Sequence, residues 1–220
     1  MSDTEKPELR VFELVTMRAP YTAADHAAYL QAIKPYMEKH GLVHRAAFNV
    51  LKKGSGSAAE HVVQIGLMQL ASPEGMQGIF QDPGYQSHVP QRDQIHDMEN
   101  LTLYMAKPVF EKPFNKANVT LMDFVVMQPG YGKENWETYF SNLERIGAKY
   151  KLTRVASYEI LQYTTGKGPK EAVLINLYEA PTPETLGQLQ QDKEYQEKMV
   201  PERDRIFNMQ EHSVFITRLN

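Results

Sequence analysis

The sequence contains the same segment twice. Residues 10–86 align with residues 120–196 without a gap, and about a quarter of the aligned positions are identical. After a one-residue insertion the match resumes, so that VPQRDQIHDM at 89–98 corresponds to VPERDRIFNM at 200–209. Two copies of a unit of roughly a hundred residues therefore fill most of the chain, and both are expected to adopt one fold because they share one apolar pattern.

Each copy predicts the element order βαββαβ. In the first copy, Thr22 is the expected N-cap of a helix that Gly41 terminates, and Pro35 is expected to kink or split that helix. A second helical region begins at Ser72 and Pro73. The predicted strands cover residues 9–18, 42–52, 61–70 and 100–108 in the first copy and 118–128, 151–163, 172–179 and 211–218 in the second. The expected domains are 1–108 and 118–220, joined by a linker at 109–117 that is rich in proline and charge.

The alternation of side chains along the third strand predicts how the sheets pack. One face carries Val63, Ile65 and Leu67 and is expected to pack against the helices, whereas the opposite face carries Gln64 and Met68 and is mixed. A mixed sheet face that stayed exposed would be an apolar patch on the surface. The predicted fold class is therefore α+β, with the two units packed sheet to sheet within one chain.

Composition excludes several function classes. A formal net charge of -3 and the absence of any basic run argue against nucleic acid as a partner. The apolar stretches are only as long as strands, which predicts no membrane span, and the charged N-terminus does not resemble a signal peptide. With no cysteine in the chain, disulfides and thiolate chemistry are excluded. The expected location is cytoplasmic, and a homo-oligomer is compatible with the sequence.

The architecture and two local motifs resemble a known superfamily. DPGYQSHVPQRDQI at 82–95 and DKEYQEKMVPERDRI at 192–206 are similar to a signature of small uncharacterised and stress-responsive proteins of the dimeric α+β barrel superfamily. Its antibiotic-biosynthesis monooxygenase and EthD-like groups share the ferredoxin-like unit. The resemblance implies two tandem ferredoxin-like units forming an intramolecular barrel with a cavity. It does not imply one chemistry, because the superfamily includes cofactor-independent monooxygenases, haem-dependent enzymes, isomerases and lyases.

Four polar residues stand out as kept in both copies: Tyr85 with Tyr195, Arg92 with Arg203, Asp93 with Asp204, and Tyr29 with Tyr139 on the first helices. In a functional interpretation the arginine binds an anionic or carbonyl group of a ligand and the tyrosine donates a hydrogen bond to an oxygen. In a structural interpretation the tyrosine packs under a helix and the arginine stabilises the neighbouring turn. The duplication favours the structural interpretation, since a shared fold keeps both copies of a residue without two working sites.

Histidine is unevenly distributed, with six in the first copy and only His212 in the second. His96 and His44 are the candidate general bases, because imidazole titrates near neutral pH. No metal-ligand spacing occurs, so the sequence predicts no metal cofactor. A haem ligand at His88 or His96 stays open.

The predicted ligand-binding residues come from the mixed strand face and the duplicated motif. Glu13 and Asp123 occupy equivalent positions in the first strands. Facing a common cavity they could share a proton or act as acid and base, but they are expected to lie solvated near an edge or end of the sheet. Met68 stands opposite Tyr178 in the alignment, which predicts a roomier site in the first copy. The candidate ligand contacts are Gln64, Met68, Asn176, Tyr178, Arg203 and Tyr195.

Three functional hypotheses remain open from the sequence. The first is a small-molecule enzyme, either a cofactor-independent monooxygenase or an isomerase, that acts on a hydrophobic metabolite with a carbonyl group. The second is a ligand-binding module without catalysis, and the third is an assembly protein for which the barrel is only a scaffold. A deep pocket with converging polar groups would favour the first two over the third.

Overall fold

The computed structural model describes residues 8–56, 58 and 61–220. Eight strands alternate with seven α-helices in two successive βαββαβ sets. The first set consists of β1 (Leu9–Thr16), α1 (Ala23–Lys39), β2 (Leu42–Ser55), β3 (Val62–Leu70), α2 (Pro73–Gln81), α3 (Pro83–Gln86), α4 (Val89–Ile95) and β4 (Thr102–Glu111). The second consists of β5 (Val119–Val126), α5 (Lys133–Gly147), β6 (Thr153–Thr165), β7 (Ala172–Ala180), α6 (Pro183–Gln191), α7 (Val200–Ile206) and β8 (Ser213–Leu219).

The strands hydrogen-bond in the order β1-β3-β2-β8-β5-β7-β6-β4 and close into a barrel. β1 pairs antiparallel with both β3 and β4, and β5 pairs antiparallel with both β7 and β8. The α+β class and the barrel predicted from the sequence are confirmed. Each first strand of a copy is thus a central strand, and all of its side chains are buried except Glu13 in β1 and Leu121 in β5, which are half-buried.

The described chain forms two compact units. Among the described residues, unit 1 comprises 8–48, 61–108 and Leu161–Gly168, and unit 2 comprises 49–56, 58, Val109–Ile160 and Pro169–Asn220. The end of β6 therefore belongs to unit 1, although its sequence lies in the second copy. The predicted domain limits are 1–108 and 118–220, with a linker at 109–117. They place residues 49–56 in the first domain and Leu161–Gly168 in the second, the reverse of the two units, and they stay a prediction.

Helix α1 shows how local sequence sets an element that carries part of the site. The Thr22 backbone N–H donates to Asp25 Oδ2 over 2.7 Å, which closes a capping box at the helix start. The helix ends before Gly41, whose φ of +77° is accessible to glycine without strain. The expected split at Pro35 is wrong, because α1 continues through this residue to Lys39. Tertiary packing holds the helix there, since Tyr29, Ile33 and Met37 are buried on one side of it.

The predicted orientation of the strand faces is wrong. Met68 packs with the buried residues of α1 and α2, and Val63, which was expected in that core, is 39% exposed. In unit 2, Leu174 and Tyr178 likewise pack with α5 and α6. Both faces of these strands are buried, so the apolar character of a face could not indicate which one the helices cover. The mixed face is the helix-side face in both units.

Candidate functional site

Unit 1 contains a cavity of about 170 Å³ between its sheet and its helices. For comparison, an engineered protein cavity of about 150 Å³ is large enough to bind benzene. The wall is mostly aliphatic and sulfur-containing, with a small set of polar groups at one place. The apolar lining is formed by Val11, Leu30, Ile33, Met37, Leu42, Met68, Met76, Ile79, Phe80, Met98, Leu101 and Leu103. Such a surface suits an apolar ligand, and the flexible methionines can adapt to its shape.

Glu13 is the acidic group of the cavity. It lies on the central strand β1, where its cross-strand partners are Gly66 on β3 and Leu103 on β4. Burial raises the pKa of the Glu13 carboxyl to about 7, although the positive charge of Arg92 acts in the opposite direction. The expectation that Glu13 is solvated near a sheet edge is therefore wrong, because β1 has a neighbouring strand on each side. The group can hold or release a proton near neutral pH.

Three donors lie beside this carboxyl. Arg92 Nη1 donates to the Tyr85 hydroxyl over 3.4 Å, and Tyr85 is in turn hydrogen-bonded to Tyr29. Arg92, Tyr85 and Tyr29 all line the cavity. Burial raises the pKa of Tyr29 far above its usual value, so the hydroxyl keeps its proton and can donate it in a hydrogen bond. Arg92 also contacts Asp93 over 2.8 Å, which orients the guanidinium.

A pair of buried histidines packs behind the tyrosines. His26 Nδ1 lies 2.8 Å from His96 Nε2, and the His96 ring meets the Tyr29 ring edge to face at a centroid distance of 5.3 Å. Burial lowers the pKa of both histidines to about 4, so both are neutral at pH 7. The Nδ1 atom of His96 has no hydrogen-bond partner. The side chain of Gln64 hydrogen-bonds to His26 and extends this polar cluster.

Unit 2 also has the carboxyl, the arginine and the tyrosines of the repeat. Aromatic rings occupy the space that corresponds to the unit 1 cavity. The counterparts of Leu30, Met68 and His96 are Phe140, Tyr178 and Phe207, and these three rings pack together with centroid distances of 5.7 Å and 6.5 Å. Asp123, the counterpart of Glu13, has its carboxyl oxygen Oδ1 in contact with Nε2 of the buried His212. The carboxyl group therefore has a partner in unit 2, whereas in unit 1 it faces a cavity.

The residues predicted as catalytic or ligand-binding fall into three groups by their location in the structure. Arg92, Tyr85 and Met68 line the unit 1 cavity. His96 and Gln64 are buried next to it in the histidine cluster, and His44 is exposed on β2. The other four lie in unit 2: Tyr195 and Tyr178 pack within its core, Arg203 pairs with Asp204, and Asn176 accepts a hydrogen bond of 2.8 Å from Ser157.

Met68 and Tyr178 do not lie on the face opposite the helices, where they were expected. Met68 reaches the cavity from the helix-side face, and Tyr178 occupies the same face of unit 2. The sequence offered Glu13 as an acid or base only as an alternative to a solvated position, and it did not place Tyr29 or His26 near Glu13. A signal was present, because Glu13 is a lone carboxylate between Val11 and Val15 on one face of a strand.

Comparison with known proteins gives the fold. No protein-family model and no curated protein matches the chain. Solved structures match over nearly its whole length. An anthrone oxidase-like protein is 11% identical with a TM-score of 0.60, covering 98% of this chain and 92% of its own. A "putative monooxygenase" from Lactobacillus acidophilus NCFM is 9% identical with a TM-score of 0.52, covering 97% and 96%. A mutant chlorite dismutase from Candidatus Nitrospira defluvii is 12% identical with a TM-score of 0.55, covering 100% and 95%.

The chain has the dimeric α+β barrel fold. At such low identity the likeness shows the fold alone, and the chemistry has to be argued from the residues of this chain.

Within this dimeric α+β barrel, the residues do not fit a haem or a metal ion. No histidine lines the unit 1 cavity, His96 is already bonded to His26, and the half-buried His88 packs beside Tyr36. Among the described residues there is no group of three or more histidine, aspartate or glutamate side chains that could hold a metal. Over the same part of the chain, no helix is long and apolar enough to cross a membrane.

Proposed function

We propose that the unit 1 cavity binds a small, mainly apolar molecule with a carbonyl group, and that Glu13 removes a proton from the carbon next to it. The observation that carries the proposal is a carboxyl group with a pKa of about 7 inside an apolar cavity, beside an arginine and two tyrosine hydroxyls. A general base is most effective when its pKa lies near the working pH, and Glu13 meets this condition.

The neighbouring donors suit the charge that such a reaction creates. When the C–H bond breaks, its proton moves to the Glu13 carboxylate and its electron pair moves towards the carbonyl oxygen, giving an enolate. Arg92, Tyr29 and Tyr85 can donate hydrogen bonds to that oxygen in a water-poor site, where such bonds are strong. In a ketone with a C=C bond next to the α-carbon, the enolate extends over that bond, and return of the proton from Glu13 to its far carbon gives an isomer with the C=C bond shifted, with no cofactor or co-reactant consumed.

A second candidate is monooxygenation, which the anthrone oxidase-like and monooxygenase neighbours favour. The first step is the same proton transfer. The carbanion then reacts with O2, so that a CH2 group becomes a carbonyl group, one oxygen atom enters the product, and the other leaves as water. Carbon is oxidised by four electrons, and O2 accepts them. The two candidates differ only in the fate of the enolate and in the need for oxygen.

Deuterium exchange separates these possibilities. The probe is 2-tetralone in D2O, and the loss of its α-proton signals is followed by NMR with and without O2. We expect the wild type to accelerate exchange, with a rate that rises as pH increases through about 7, because the carboxylate form is the base. Glu13→Gln should lose about 100-fold or more of the rate. Glu99→Gln, which changes an exposed carboxyl, is the matched control.

The outcomes distinguish the functions. Exchange without oxygen uptake indicates an isomerase, and exchange coupled to oxygen uptake indicates a monooxygenase. Binding of the ketone without any exchange would replace the enzyme proposal by a noncatalytic binding protein. Equal rates for wild type and Glu13→Gln would remove Glu13 from the mechanism.

A further inference from the structure

We propose that Thr164 and Thr165 are specificity-determining residues of the unit 1 cavity, which contact a second oxygen atom at the polar end of the ligand. This inference rests on the proposed function, because it concerns the same cavity. Both threonines line the cavity, although they lie at the end of β6 in the second copy of the repeat. Thr164 is exposed and Thr165 is half-buried, so they stand where the cavity meets the surface.

The hairpin that carries these threonines is held firmly within unit 1. The backbone N–H of Gly168 donates to Thr102 Oγ1 over 2.9 Å. The rings of Tyr163 and Tyr104 meet at a centroid distance of 5.7 Å, and the Tyr163 hydroxyl donates to the carbonyl oxygen of Gly166. These contacts hold the backbone on both sides of Thr164 and Thr165, so little ordering of the hairpin is required when a ligand binds.

Strand register places the hairpin at the reactive end of the cavity. Glu13 pairs with Leu103 on β4, and the hairpin is bonded to Thr102, the residue next to it in the chain. Other contributors at this end, Met98 and Leu101, are apolar. A ligand with its carbonyl group at Glu13 therefore has the two threonines as nearby hydroxyl partners. Unlike arginine, a hydroxyl both donates and accepts, so it can bind a carbonyl or a hydroxyl oxygen.

The other hairpin of the chain provides an internal comparison. The positions equivalent to Thr164 and Thr165 are Gly54 and Ser55, which belong to unit 2. A Cβ atom at Gly54 would lie 3.4 Å from Val214 Cγ1, which is van der Waals contact, so this hairpin packs against β8 rather than beside the unit 1 cavity. The bulkier threonines thus occur on the hairpin that borders the cavity. The fold itself does not require them at this position.

The test uses two ketones of equal length that differ by one oxygen, butyrophenone and 1-phenylbutane-1,3-dione. Binding to the full chain is measured by calorimetry for the wild type, for T164V/T165V and for T164S/T165S. Valine keeps the branched shape that suits the strand but removes the hydroxyl, whereas serine keeps the hydroxyl. We expect T164V/T165V to bind the diketone about 3- to 30-fold more weakly, as for one or two lost hydrogen bonds, and butyrophenone within 2-fold of the wild type.

The controls separate this inference from the proposed function. T164S/T165S should retain the preference for the diketone, and Ser55→Val on the other hairpin should leave both affinities unchanged. An unchanged diketone affinity in T164V/T165V, or an equal loss for both ketones, would overturn the role of the threonines while leaving the proposed function intact. A wild type that binds neither ketone would overturn both.

Discussion

The Nδ1 atom of His26 and the Nε2 atom of His96 lie 2.8 Å apart in the buried interior of unit 1. One ring must donate and the other accept, so the pair is stable only while at least one of the two histidines is neutral. In unit 2 the equivalent residues are Trp136 and Phe207. The fold does not need a polar pair at this position, and the histidines occur in the unit that has the cavity.

Replacing the histidine pair by its counterparts, H26W/H96F, should remove an acid sensitivity of the fold. The pKa of each histidine is about 4 in the folded protein, compared with 6.5 for a solvated histidine in the unfolded chain. Stability from the neutral pair is therefore present above pH 6.5 and is lost as pH falls towards 4. If the two coupled histidines act as one titrating group, the free energy of unfolding falls by about 3 kcal/mol over this pH range. Urea unfolding from pH 4 to pH 8 measures it, with exposed His61→Gln as the control. An equal pH dependence in the swapped variant contradicts this prediction.

Glu13→Gln should change the pH dependence of stability in the opposite sense. The pKa of Glu13 is raised from 4.5 to about 7 in the folded protein, so the unfolded chain releases this proton first. The wild type therefore loses free energy of unfolding as pH rises from about 4.5 to about 7, on the order of 3 kcal/mol. The variant should not show this loss, whereas Glu99→Gln should behave as the wild type. Parallel unfolding curves for wild type and Glu13→Gln would mean that the Glu13 pKa is ordinary.

Met68→Tyr should close the unit 1 cavity, since it introduces the residue that fills the equivalent place in unit 2. We expect butyrophenone affinity to fall at least 10-fold with the fold retained, because the ring enters existing space rather than a packed core. The reverse change, Tyr178→Met, should cost about 1–3 kcal/mol of stability by opening a void in unit 2, and leave binding unchanged. Calorimetry and urea unfolding test both. Unfolding of Met68→Tyr would show that the space is already packed.

Tyr85→Phe should slow deuterium exchange of 2-tetralone more than Tyr195→Phe does. The Tyr85 hydroxyl accepts from Arg92 and lines the cavity, whereas Tyr195 packs in the unit 2 core. Loss of one donor to the enolate oxygen is expected to reduce the rate about 10-fold or more. The tyrosines are equivalent in the repeat, so similar rates in the two variants would favour the structural interpretation of the duplicated motif.

Gly166→Ala should destabilise the protein more than Gly130→Ala. Both glycines have positive φ, of +99° and +88°, so both substitutions strain the backbone. A Cβ at Gly166 would also lie 2.3 Å from the carbonyl oxygen of Leu101, whereas nothing lies within 4 Å of a Cβ at Gly130. We expect a loss of about 1 kcal/mol for Gly130→Ala and clearly more for Gly166→Ala, measured by urea unfolding. Equal losses would indicate that the hairpin is not seated against Leu101.

Some site residues could be predicted from the sequence, and others could not. Arg92 and Tyr85 were identified by their duplication, and Met68 by its contrast with Tyr178. Glu13 was assigned to a solvated edge or end of the sheet because its strand face looked like apolar core. In the structure β1 is paired on both sides, and Glu13 lines the cavity. The histidine pair joins residues 70 positions apart, a contact that no local pattern reports.

The repeated βαββαβ order and the barrel class could be predicted from the sequence, because duplicated apolar periodicity and turn residues act locally and identically in both copies. Three features could be seen only in the folded chain: the sheet face that the helices cover, the unit that has the Glu13 cavity, and the position of Thr164 and Thr165 of the second copy at that cavity. These features depend on how side chains from distant segments fill space together, and a small difference such as Met68 for Tyr178 changes a packed core into a binding site.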